Sequence, residues 1–214
     1  MNDRSDSTFV HGKCIVLLDT NKYKEKMQHM LAIPEHYSKG KANWETLTRC
    51  EIQQICHKVR IKGLICDQEY EYLNPQRTRT PVLYGVPKIH KSEVDPPFRP
   101  IVSTVGPITE PLSKYVEMFL KQRVVCLPAY VRDTGHIISK LEGIPFDPET
   151  QILVTMDIEA LFTNIPQTQD LKAVAQIFGT ESMTDHLDFV LQCLKIVLDQ
   201  NYFMFDGDIY QQKK

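Results

Sequence analysis

The residue pattern predicts an α+β fold, helices mixed with short strands, and three observations predict it. Leu112, Tyr115, Val116, Phe119, Leu120 and Val124 form one apolar stripe at helical spacing, as do Leu187, Val190, Leu191, Leu194, Val197 and Leu198. Two short runs, 82–84 and 99–104, read as strands on either side of a charged, proline-rich loop at 91–97. The run ILVTMD at 152–157 reads as a buried strand that ends by presenting Asp157, with a break at Asn164-Ile165-Pro166.

In chain order, residues 14–18 read as a strand, and Asp19 or Thr20 caps a helix running to about Leu31. Trp44, Leu47, Ile52, Ile55 and Val59 fall near helical spacing, and Gly63 sits where that helix should stop. After the two strand candidates, Thr109 stands where a helix needs its N-cap. A further helix is predicted over 134–141, closed by Gly143 and Pro145. Beyond the Asp157 strand come helices over 168–178 and 184–199, whose stripe is core. Residues 201–205 alternate aromatic with polar, and Asp206-Gly207 is a hairpin turn into 208–211. Neither a repeat nor a low-complexity segment is visible.

The chain has 214 residues, 42% hydrophobic and 24% charged, which is ordinary for a globular protein able to bury a sizeable core. Its net charge of −2 does not announce a nucleic-acid partner. Charge is uneven, however: Arg77, Arg79, Lys88, Lys91 and Arg99 crowd one stretch against Glu93 and Asp95. Taken alone that stretch is a solvated loop. The six cysteines include no C-x-x-C pair and read as thiols in a reducing compartment rather than zinc ligands. The first residues lack the apolar core of a signal peptide, and apolar runs are far too short for a membrane span. The expectation is a soluble intracellular protein with no membrane partner.

The motifs sharpen this picture. RTPVLYGVPKIHK at 79–91 is followed by FRPIVS at 98–103, an amphipathic helix, Leu127-Pro128-Ala129-Tyr130, Asp133-Thr134, and then VTMDIEALFTNIP at 154–166. An apolar strand ending in Asp is common by itself and reads equally as a capping residue, and Phe162 alone reads as a core aromatic. In this order and spacing, the stretches resemble reverse transcriptases, most closely those of Penelope-like retroelements, over about residues 14–214. The resemblance implies reverse-transcriptase fingers with an incomplete palm sheet. Residues 1–150 would be the N-terminal region and fingers, and 151–214 the first part of the palm. It implies a retroelement's RNA-directed DNA polymerase, a nucleotidyltransferase using Mg²⁺, with an RNA template, a DNA primer and dNTP as partners and the nucleus as a plausible location.

The same resemblance assigns roles. Asp157 would be the first metal-binding, catalytic aspartate, and the Ile158 carbonyl would ligate the nucleotide-bound metal. Phe162 would lie under the sugar and exclude a 2′-hydroxyl by bulk. Lys88 and Arg99 would grip the triphosphate, for which a point cation and a bidentate guanidinium from adjacent strands are suited. Lys91 would touch template or phosphate, with an exposed basic residue on a hairpin as an equal alternative. Gln212 stands at the family's glutamine position.

Departures matter as much. The family's Asp-Asp turn and the Gly-rich segment before it are missing from these 214 residues, as are a thumb and a GIY-YIG nuclease domain. Val10-His11-Gly12-Lys13 stands where relatives have Asp-Lys-Gly-Gly. A two-metal site needs more than one carboxylate. The expectation is therefore a fragment that does not polymerise alone and that self-associates through an uncovered sheet edge. The alternative is a non-enzymatic remnant that binds nucleic acid or a protein.

Overall fold

A computed structural model describes residues 6–11, 14–158, 167–178 and 184–213. Strand β1 (Asp6–His11) pairs antiparallel with β2 (Cys14–Asp19), from Asp6 opposite Asp19 to His11 opposite Cys14. The Asp19 side chain accepts from the Lys22 amide at 3.0 Å and so starts α1 (Thr20–Leu31), satisfying one of the helix's orphan donors. Strand β3 (Tyr37–Lys39) leads to α2 (Trp44–Ile61). That helix buries Trp44, Thr48, Ile52, Cys56 and Val59, a stripe at three- and four-residue intervals. Gly63, at φ +70°, follows its end. In α3 (Asp67–Leu73) the Cys66 sulfur accepts from the Glu69 amide at 3.5 Å, while the Glu69 carboxylate accepts from the Cys66 amide at 2.8 Å, a reciprocal capping box.

Strands β4 (Leu83–Pro87) and β5 (Phe98–Val102) form an antiparallel hairpin, as the sequence predicts, with Leu83 opposite Val102 and Val86 opposite Arg99. Next come α4 (Glu110–Val124), α5 (Thr134–Glu142), α6 (Gln167–Phe178) and α7 (Asp185–Asp199). Strands β6 (Tyr202–Phe205) and β7 (Asp208–Gln212) close the described chain around a turn with positive φ at both Asp206 and Gly207, the turn expected of that dipeptide.

The main core lies where α2, α4 and α7 meet. It buries Ile52, Cys56, Leu112, Val116, Phe189, Val190 and Cys193, each large side chain contributing roughly 1.5–3 kcal/mol. Trp44 stacks on Tyr202 at 5.2 Å, and Thr48 Oγ1 donates to the Trp44 carbonyl at 2.9 Å. A smaller core gathers Met27, Leu31, Tyr37, Leu83, Phe203 and Phe205. Early and late segments thus share both cores. The sheet β3-β7-β6 joins residues far apart in sequence, Tyr37 facing Gln212. A parallel bridge between Val82 and Met204, with the Met204 amide donating to the Pro81 carbonyl at 2.8 Å, fastens the hairpin to that sheet.

Two expectations need correction. Residues 151–158 form no strand, and Ile152 and Met156 are 85% and 92% exposed. A strand exists through hydrogen bonds to a neighbour, and no described strand lies beside this segment to supply them. Nor does the Thr109 side chain cap α4: its backbone is already helical at ψ −8°, and Pro at the start of the helix removes a donor such a cap would serve.

Candidate functional site

The hairpin β4–β5 has two unlike faces. Leu83, Gly85 and Pro87 point inward onto α1. There the Gly85 amide donates to the Tyr23 hydroxyl at 2.8 Å, and the Tyr23 and Phe98 rings meet edge to face at 5.4 Å. Lys26 lies over the Phe98 ring at 5.6 Å. A Cβ at position 85 would strike the Met27 sulfur and come within 3.0 Å of the Phe98 ring, so the glycine permits this close approach. Pro100 faces Gly85 from β5, which is an edge strand, where a missing N–H costs little.

The other face carries the cations. Val86 is directly opposite Arg99, and the Lys88 amide donates to the Pro97 carbonyl at 2.8 Å, continuing the register one step beyond the strands. Positions 86, 88 and 99 therefore share one side of the pleat. Among the described residues, neither the Lys88 nor the Arg99 side chain has a hydrogen-bonding or ionic partner. In the connecting loop Asp95 pairs with Lys26, whose ammonium also donates to the Pro96 carbonyl at 3.1 Å. One of the loop's two carboxylates, Asp95, is thereby engaged by α1, and among the described residues neither it nor Glu93 pairs with Lys88 or Arg99. Lys91 is exposed, its amide donating to the Lys88 carbonyl at 3.0 Å.

Gln212, Asp157 and Ile158 are not on this hairpin. Gln212 borders a cleft of about 470 Å³ at the base of the hairpin, together with Val102, Ser103, Thr109, Ser113 and Asn201. Its amide donates to the Asn201 carbonyl at 3.0 Å. On the wall of this cleft Lys114 and the Gly106 amide, both at 2.6 Å, hold the Glu110 carboxyl below the usual carboxylate range. The hydroxyl lining went unnoticed in the sequence; its only signal is the run of Ser and Thr at 103, 104, 109 and 113 flanking a helix start.

Asp157 sits in the exposed 151–158 segment, its Oδ1 accepting from the Ile158 amide at 2.9 Å, with Ile158 itself exposed. Phe162 lies outside the described residues. Mg²⁺ requires several oxygen ligands in near-octahedral order. Among the described residues there is no group of three or more His, Cys, Asp or Glu side chains placed to hold a metal ion. No helix among them is long and apolar enough to cross a membrane. No protein-family model, curated protein or solved structure matches the chain.

Proposed function

We propose that the chain is the fingers and first part of the palm of a reverse-transcriptase-like polymerase, and that the β4–β5 hairpin holds the phosphates of an incoming nucleotide beside primer and template. One observation carries this reading: Lys88 and Arg99 share the outward face of a hairpin whose inner face is pinned to α1, and both lack partners among the described residues. Two desolvation-ready cations on a rigid ribbon suit a polyphosphate, the lysine as a point charge and the arginine as a planar fork. Mg²⁺ chemistry at Asp157 belongs to this proposal only with further carboxylates, and no Asp-Asp pair occurs in these 214 residues.

Anisotropy of a labelled primer–template, with a dNTP as competitor, tests the reading. Lys88→Gln and Arg99→Gln should each weaken binding across all sequences and lower the salt dependence by about one unit of slope. Unchanged binding in both variants would remove the phosphate-gripping role. The 214-residue chain should give no primer extension with Mg²⁺ or Mn²⁺. Extension that vanishes in Asp157→Ala would show that a second carboxylate operates. A second reading, nucleic-acid binding without polymerisation, is favoured by the exposure of Asp157 and by the lack, among the described residues, of a carboxylate cluster that includes it; retained primer–template affinity in Asp157→Ala fits it.

A further inference from the structure

On the outward face of the hairpin, between its buried neighbours Leu83 and Gly85, Tyr84 is 42% exposed. It stands directly opposite Ile101, two pairs along from Val86 and Arg99 on the same face. Diagonal neighbours in such a ladder are about 7–8 Å apart, within reach of an aromatic ring and a guanidinium. Among the described residues the phenol makes no hydrogen bond and the ring no aromatic contact, unlike Tyr23 and Phe98 behind it. A tyrosine wanted for the core would sit on the other face, where Leu83 and Pro87 are buried. Here a flat, half-exposed ring lies in line with two unpaired cations, on a ribbon whose back is locked by Tyr23, Met27 and Phe98.

We propose that Tyr84 is a stacking platform for a base of single-stranded nucleic acid laid across this face, with Arg99 and Lys88 on the flanking phosphates. Charge complementarity selects the occupant: an aromatic ring alternating with cations matches a strand that alternates bases with phosphates. An apolar protein partner would gain nothing from Lys88 and Arg99 and would have to desolvate both. Ile101 opposite the ring supplies an apolar wall against which one base edge is shielded.

This inference rests on the reading of the hairpin as a phosphate-binding surface, and the test separates the two. A labelled single-stranded oligonucleotide and its abasic counterpart are titrated with the full 214-residue chain, Tyr84→Ala, Tyr84→Phe, Lys88→Gln and Arg99→Gln, each checked for folding by circular dichroism. Tyr84→Ala should bind the base-bearing strand roughly 5- to 150-fold more weakly, while Tyr84→Phe, which keeps the ring, should match the parent. The parent itself should prefer the base-bearing strand to the abasic one, a comparison needing no substitution. Equal binding of the two strands by the parent, or an unaffected Tyr84→Ala beside weakened Lys88→Gln and Arg99→Gln, overturns the stacking role and leaves the phosphate reading standing. A weakened Tyr84→Ala beside unaffected cation variants supports stacking and removes the phosphate reading. Failure of the parent to bind either strand overturns both.

Discussion

Gly85 shows how one residue sets the geometry of a whole face. Its missing side chain lets Met27 and Phe98 close behind the hairpin, and its amide is satisfied by Tyr23. Gly85→Ala forces buried Met27 out of place, and overpacking of this kind costs about 1–3 kcal/mol. Chemical denaturation should show that loss, along with weaker oligonucleotide binding if the outer face tilts. The cysteines make a second residue-scale case. Burial pushes the Cys56 thiol up to about 11, partly offset by Asn74, and raises Cys193 further with Cys56 nearby. Both stay protonated thiols at neutral pH. Iodoacetamide should label exposed Cys50, Cys66 and Cys126 in the folded chain, and reach Cys56 and Cys193 only after denaturation, as peptide mapping would reveal.

Among the elements, α4 carries a pH signature at its start. Lys114 and the Gly106 amide hold Glu110 below its usual value of 4.5, so the folded state favours the charged form. The stabilisation is present above about pH 4.5 and is lost as pH falls through the lower folded value. Glu110→Gln should lower the denaturation midpoint at pH 7, by a margin that shrinks as the pH falls through the lowered folded value of Glu110. Elements with a strong period were legible in the sequence: α4 and α7 from their apolar stripes, the β6–β7 turn from Asp206-Gly207, and the hairpin from its flanking prolines. Elements whose identity depends on a partner were not. The three-residue β3 exists because Gln212, Gln211 and Tyr210 lie beside it, and α3 is held by a cysteine doing a serine's capping work. Residues 151–158 failed in the opposite direction, since β-forming composition yields no strand without a neighbour. At the candidate site, Lys88 and Arg99 could be read as neighbours from hairpin register alone. That Gln212 sits at the hairpin's base rather than its tip depends on the Val82–Met204 bridge, which no local pattern encodes.

At the scale of the molecule, the described residues bury two cores and leave apolar side chains exposed along 144–158. Helix α5 buries none of its residues, and Ile144, Phe146, Ile152, Leu153, Val154, Met156 and Ile158 are all exposed. Exposed apolar side chains on a segment that joins no described strand favour association between chains. Sedimentation velocity should show mass rising with concentration, and Leu153→Glu with Val154→Lys should suppress it without shifting the thermal midpoint. A parent chain that stays monomeric at every concentration would show that this surface does not associate.

The placement of β7 between β3 and β6 has a consequence for how the chain comes into being. Tyr37 meets Gln212, and the Lys213 amide donates to the His36 carbonyl at 2.8 Å. During synthesis, residues 37–39 therefore wait for 208–212 to leave the ribosome before they have any sheet to join. The apolar stripe of α2 waits likewise for Phe189 and Val190. Residues 37–61 are thus committed to an interval without their final core and sheet, dependent on slow, long-range closure. For these segments the order of synthesis, and not only their final contacts, sets how long their apolar faces stay uncovered.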